Sequence, residues 1–412
     1  MCLNFDKMLK YLKTKSPYDC FGCNACEQIC GHDAIHMVAD DEGFRYPTLN
    51  HNKCIGCGLC EKVCPIEHYE PTINQLGETC AAQFNDNAIL KNSSSGGMFY
   101  AIAKYVIGKG GLVYGASFND KNEILHRRID IISDIYPLMG SKYVQSNTES
   151  TYRQVRADLK NGLLVYYTGT PCQISGLRLF LMKDYENLIT SDLICHGTPS
   201  QKIFSNMITH IESRYNGKVI NYSFRDKNVR GWAIASSSVI KTGEKIKYLK
   251  YSNDMEAYFN AFSKGALMRR ACYQCTFSQP QRVGDITLAD FWGVREKLPD
   301  MKNISKGISL ILINTTKGAD ILQKIKNNLT IEQIPMEWAT ETNSNLVQPT
   351  PEPLIRNEAY ILAFNDYDRF VNMFGGSNET KNRIKRELES FVRSHEFIFN
   401  LVSKTLSFIK RK

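Results

Sequence analysis

The chemistry in this chain of 412 residues is concentrated in its fourteen cysteines. Eight of them form two runs, Cys20-Phe-Gly-Cys23-Asn-Ala-Cys26-Glu-Gln-Ile-Cys30 and Cys54-Ile-Gly-Cys57-Gly-Leu-Cys60-Glu-Lys-Val-Cys64-Pro65. Both read C-x2-C-x2-C-x3-C. At that spacing three thiolates grip one face of a four-iron cubane, while the fourth, opening a helical turn, serves the neighbouring cluster. The pattern predicts that Cys20, Cys23, Cys26 and Cys64 hold one 4Fe-4S cluster and that Cys54, Cys57, Cys60 and Cys30 hold a second. Gly22, Gly56 and Gly58 permit the tight curl that aims backbone N–H groups at sulfur. Zinc also uses C-x2-C pairs, but it takes four ligands and has no need of a repeated triplet-plus-one. One position departs from the usual pattern: Gly31 follows Cys30 where proline is customary, so that turn is less constrained.

These runs need a compact frame. Between them, residues 41–43 read as a turn and residues 44–49 as an extended segment, which suits an α+β ferredoxin-like domain over residues 1–70. A polar stretch at 67–78, with Pro65 and Pro71, reads as a linker. From Thr79 short apolar strands alternate with amphipathic helices, predicting an α/β domain with a largely parallel sheet. The Ser93-Ser-Ser-Gly-Gly97 loop precedes a helical pattern over residues 98–106. Its N–H groups and dipole end suit a phosphate, although serine and glycine are also ordinary caps. Two strand-turn-helix units follow. Residues 163–167 lead into Thr168-Gly-Thr-Pro-Cys-Gln173, and residues 188–194 lead into Cys195-His-Gly-Thr-Pro-Ser-Gln201. In each, threonine as cap, proline at the first helical position and glutamine three residues on predict a capping box, with the two strands adjacent and parallel. Cys172 then falls in a first helical turn, where the dipole is expected to lower its thiol pKa.

Composition sets the limits. With 43% hydrophobic residues the chain can bury a core without disulfides. It opens without a signal-length apolar run and contains no stretch approaching the roughly 20 apolar residues of a spanning helix, so a cytoplasmic protein is expected. Thiols stay reduced there, which favours metal ligation over cross-linking. The net charge of +9 is spread along the chain, and no nucleic-acid module accompanies it. A basic surface of this kind steers acidic partners such as a ferredoxin or flavodoxin. Residues 379–412 read as a basic helix with Phe391, Ile398, Val402 and Ile409 on one face, suited to packing on the protein itself or on a homo-oligomer partner before a membrane surface.

Further stretches, in order, are Ser94-Ser-Gly-Gly97, Gly140-Ser-Lys-Tyr-Val-Gln-Ser146, Gly169-Thr-Pro-Cys-Gln173, Ile194-Cys-His-Gly197, Phe224-Arg-Asp-Lys227 with Gly231-Trp232, Cys272-Tyr-Gln-Cys275 and Gly284-Asp-Ile-Thr-Leu-Ala-Asp-Phe-Trp-Gly293. Together they resemble the coenzyme F420 hydrogenase/dehydrogenase beta-subunit family of iron-sulfur flavoproteins, many of which follow a two-cluster ferredoxin segment. The resemblance implies a family domain at 79–350, with 351–412 as a helical extension. It also implies FAD bound by Ser94, Ser95, Gly96, Gly97, Ser141, Lys142, Tyr143 and Thr170. Four of the remaining cysteines, Cys172, Cys195, Cys272 and Cys275, fall within its motifs, and a third 4Fe-4S cluster on these four is expected. Cys2 and Cys80 are left as plain thiols. His196 and Arg225 are candidates for catalysis, with Asp290 beside them. No G-x-G-x-x-G follows a strand, which argues against a nicotinamide site. The expected function is relay of electrons between clusters and FAD to a two-electron acceptor, coenzyme F420 or another small molecule, with an electron-donor protein or other redox subunits as partners. The alternative is an electron-transfer subunit without flavin.

Overall fold

The computed structural model describes residues 8–69 and 77–376. The N-terminal α+β region is small. Its hairpin of β1 (Ile35–Ala39) and β2 (Arg45–Leu49) turns through Gly43, whose φ is 86°, and short helices carry the cysteine runs.

The large domain is built on eight strands: β3 (Glu78–Phe84), β4 (Leu112–Phe118), β5 (Ile124–Ile129), β6 (Val165–Thr168), β7 (Leu188–Leu193), β11 (Ile286–Asp290), β12 (Ser309–Ile313) and β13 (Leu329–Ile334). Their order is β13-β3-β12-β11-β7-β6-β4-β5. The four central strands, β4, β6, β7 and β11, run parallel. Antiparallel strands close both flanks, so the sheet is mixed around a parallel centre. The adjacent, parallel pairing expected of the two strand-turn-helix units is the β6–β7 ladder. β8 (Lys218–Ser223), β9 (Ser237–Thr242) and β10 (Lys245–Lys250) form a separate antiparallel sheet in the long excursion between β7 and β11.

The near-continuous apolar runs of β6 and β12 identify strands buried on both faces. Helix Met98–Gly108 packs Ile102 and Val106 on one face with Val113, Tyr166 and Ile311. Helix Pro171–Leu181 packs Ile174 and Leu177 on the other, together with Phe21, Ala25 and Val63 of the N-terminal region. Helices Arg356–Asn365 and Tyr367–Phe374 bury Tyr360, Tyr367 and Phe370 in the core that also holds Phe44, Tyr46 and Phe204. Among the described residues no helix is long and apolar enough to cross a membrane. The basic helix expected over 379–412, Cys2 and most of the 67–78 linker lie outside the described residues.

Candidate functional site

The cysteine triplets curl through glycines in the left-handed region, with φ of 69° at Gly22, 69° at Gly56 and 73° at Gly58. The Gly22 N–H donates to Cys20 Sγ at 3.3 Å and the Ala34 N–H to Cys30 Sγ at 3.3 Å. Cys20, Cys23, Cys26 and Cys64 line one small cavity. Cys30, Cys54, Cys57 and Cys60 line another. The fourth cysteine of each run thus lies with the triplet of the other. Burial pushes Cys60 up to about 11 and Cys64 to about 12, raises Cys20, and holds Cys23 and Cys26 well above the ordinary range. Thiolate is the ligand form, so a bound cationic metal core is what stabilises the charge that burial disfavours.

A further set of four gathers at the carboxyl ends of the parallel strands, where open α/β sheets bind their ligands. Cys172 is the second residue of helix Pro171–Leu181, and Cys195 follows β7. Cys272 lies in the 3-10 turn Arg270–Gln274, with Cys275 directly after it. They stand close enough to act on one another. Beyond burial, Cys272, Cys172 and Cys275 all raise the Cys195 thiol, and Cys275 and Cys272 raise Cys172. Among the described residues no three His, Cys, Asp or Glu side chains close on a point as around a single ion. A four-iron cubane is larger, and all-thiol donor sets of this kind suit it. Cys80 lies apart, buried within β3.

The helix starts differ from expectation in two ways. The Thr170–Gln173 capping box is present, with Pro171 at the first position. The second unit instead caps on Ser200, whose hydroxyl accepts from Ile203 N, and its helix is Gln201–Tyr215. Gln201 is therefore no capping partner, and its amide binds Ile124 N and Asn122 O. The expected lowering of the Cys172 thiol is also corrected. Burial dominates and pushes it up to about 12, against the downward pull of the Thr170 hydroxyl 3.2 Å away and of Arg269. A helix dipole contributes about 0.3–1 kcal/mol, less than the cost of removing a thiolate from water.

Beside this thiol set opens a cavity of about 540 Å³, within the roughly 300–1,000 Å³ of small-molecule sites. Cys195, His196, Ser94, Ser95, Gly97, Ser141, Lys142, Tyr143 and Thr170 all line it. Ser94 Oγ accepts from Ser141 N at 2.6 Å and from Ser141 Oγ at 2.9 Å, joining the two loops expected to share a cofactor. Gly97, at φ 82°, caps helix Met98–Gly108. Lys142 Nζ donates to Pro137 O at 2.8 Å and Met139 O at 2.7 Å, and burial lowers its ammonium to about 7. His196 Nδ1 lies 3.0 Å from Asn345 Oδ1, and its Nε2 lies 3.2 Å from Ser263 O.

Two expected residues stand outside the cavity wall. Gly96 lies on the sheet, donating to Ser309 Oγ at 2.9 Å; a Cβ there would come within 2.3 Å of Ala82 O. Arg225 is buried behind the wall and pairs with Asp290, Nη1 to Oδ2 at 2.5 Å. Asp290 lines the cavity and also accepts from Trp232 Nε1 at 2.8 Å. Arg225 therefore positions the wall and does not reach into the space.

Three other polar residues had no role assigned from the sequence. His126, in β5, lines the cavity with Nε2 3.0 Å from Thr168 O and Nδ1 3.1 Å from Ser146 Oγ, and burial lowers it to about 4. Its only sequence signal is a histidine in a short strand, beside Arg127 and Arg128. Lys227 Nζ donates to Leu90 O at 2.7 Å, Ser95 O at 2.9 Å and Lys306 O, fixing the serine loop from behind. Gln145, from the 140–146 motif, turns away from the cavity and donates to Phe21 O at 2.7 Å, so that motif also holds the first cysteine loop.

Residues 19–67 match a 4Fe-4S dicluster domain. Residues 163–337 match the family described as the C terminus of the coenzyme F420 hydrogenase/dehydrogenase beta subunit. Among solved structures, a chain of the xenon-derivatised F420-reducing NiFe hydrogenase complex from Methanosarcina barkeri is similar at 18% identity, covering 74% of this chain and 94% of that chain with a TM-score of 0.42. No curated protein matches.

Proposed function

From the premise that this chain is an iron-sulfur relative of the coenzyme F420 hydrogenase/dehydrogenase beta subunits, with a 4Fe-4S dicluster domain at residues 19–67 and that family's C-terminal region at residues 163–337, we propose that it is an FAD-dependent oxidoreductase. Its substrate class is a small two-electron carrier, with coenzyme F420 the one the family name indicates. Its single electrons come from a protein donor such as a ferredoxin or flavodoxin, or from another redox subunit.

The observation that carries this reading is the succession of sites. A Cβ on Gly176 would stand 3.0 Å from Cys23 Sγ. Gly176 and Cys172 share one helix, so the dicluster region and the further thiol set are neighbours. Cys195 of that set lines the cavity. Bound flavin supplies the exchange between one-electron and two-electron transfer.

The protein's own residues supply the rest. The Ser94–Ser141 pair and the Gly97 helix start offer hydrogen-bond donors to a phosphate. Lys142 has two of its three donors fixed on carbonyls and one left for an anionic group. His196, fixed by Asn345, and His126, held by Thr168 and Ser146, are the imidazoles at the wall that can hold or pass a proton.

Full-length protein purified without oxygen is expected to show a flavin spectrum beside the iron-sulfur absorbance, and to reduce a two-electron dye. Iron without flavin and without dye reduction would make the chain an electron-transfer subunit with no catalysis of its own.

A further inference from the structure

Arg269 is fully buried, yet no carboxylate within ion-pair range faces it among the described residues. Its Nη2 donates to Arg45 O, while Nε and Nη1 have no partner. Glu42, an acid on the same side of the protein, is bound to Arg356 at 2.6 Å and faces Arg270 at 3.8 Å. Asp40 accepts from Phe44 N at 2.8 Å. The guanidinium lies 4.3 Å from the Tyr46 ring centre and 5.3 Å from that of Phe44. These faces offset only part of the cost of burying a permanent charge.

Its surroundings indicate what supplies the rest. A Cβ on Gly22 would lie 2.6 Å from Arg269 Nη2, so the guanidinium rests on the Cys20–Cys23 loop. On its other side Arg269 N donates to Thr198 O at 3.0 Å, and Arg269 O accepts from Cys272 N at 2.9 Å. Its charge also lies within Coulomb range of Cys20, Cys172 and Cys272. An unpaired buried cation with free N–H donors therefore stands between two groups of thiols that become anionic on ligating metal.

We propose that Arg269 is the shared counter-charge of the clusters held by Cys20, Cys23, Cys26 and Cys64 and by Cys172, Cys195, Cys272 and Cys275, and that it raises the reduction potential of both. This rests on the iron-sulfur reading of the further thiol set. Reduction adds a negative charge to each cluster, and a fixed guanidinium in low dielectric favours that state. The cluster of Cys30, Cys54, Cys57 and Cys60 lies outside this arrangement and keeps its potential.

The test is a redox titration of reconstituted full-length protein followed by electron paramagnetic resonance, with iron counted first. In Arg269→Met two clusters are expected to lose roughly tenfold in reduced-to-oxidised ratio at fixed poise, about 59 mV for a one-electron couple. The cluster of the Cys30 set should not move, and Arg269→Lys should recover most of the loss because it keeps the charge. Full iron with unchanged potentials, or an equal shift of all three clusters, overturns the proposal. If Arg269→Met sheds iron, Arg269→Lys decides: retained iron with near wild-type potentials supports the charge role, and loss of iron there too overturns it. A wild-type protein with no cluster on the Cys172 set fails at the iron count, before any variant is made, and that failure belongs to the underlying reading.

Discussion

At Lys142 two demands meet. In the proposed role the side chain meets an anionic ligand, yet its ammonium is held on two carbonyls and desolvated, and that burial lowers it to about 7. A phosphate beside Nζ would raise that value again, so binding is coupled to proton uptake. The sign follows: the free protein holds the lysine protonated below about pH 7, where flavin affinity is greatest, and affinity falls as pH rises above it. The slope has an upper bound of about tenfold per pH unit. Flavin titrations of the wild type from about pH 6.5 to 9 should show that decline, and Lys142→Met should bind more weakly with a flatter profile. An identical slope in the variant would place the cofactor's charge elsewhere. The chemistry-bearing residues were the most legible part of this chain, because cysteine spacing and the paired loops are local. His126 and Arg269 were not, since each depends on contacts made across the sheet or between regions, and neither has a neighbour in sequence that announces it.

The elements place these residues with little tolerance. Helix Pro171–Leu181 carries Cys172 in its first turn, with its start held by the Gln173 side chain on Thr170 N at 3.0 Å. One turn later Gly176 lets the Cys23 loop approach. A Cβ there would meet Cys23 Sγ at 3.0 Å, Cys23 Cβ at 3.2 Å and Tyr152 Oη at 3.4 Å. Gly176→Val is therefore expected to cost about 1–3 kcal/mol through overpacking and to slow passage of electrons from the dicluster region to the flavin, while iron on the Cys30 set stays intact. Thermal unfolding and stopped-flow flavin reduction check the two halves, and normal rates in a destabilised variant would show that this contact is only packing. The strand-turn-helix units were legible from proline, threonine and glutamine, but the second cap was not, because Thr198 and Ser200 both suit the role and only the tertiary bonds of Gln201 decide between them. The parallel centre of the sheet could be read from those units. Its antiparallel flanks could not, since β3 and β12 pair across more than 200 residues and no local pattern encodes the direction of such a partner.

Across the whole molecule, the dicluster region is held to the large domain by buried polar contacts as well as apolar ones. Asn24 Nδ2 donates to Asn147 Oδ1 at 2.8 Å, and Gln28 Oε1 accepts from Tyr152 N at 2.8 Å. Arg356 grips Glu42 with two bonds of 2.8 and 2.6 Å. Helices Arg356–Asn365 and Tyr367–Phe374 thus share one core with the β1–β2 hairpin. Such docking keeps three thiol sets and the cavity in fixed succession, which a relay needs. The most direct test of that succession is the iron and acid-labile sulfide content of anaerobically reconstituted full-length protein, measured beside Cys172→Ser. Three cubanes predict about twelve irons in the wild type and about eight in the variant. Eight irons in the wild type, twelve in both proteins, or zinc in place of iron would contradict the account.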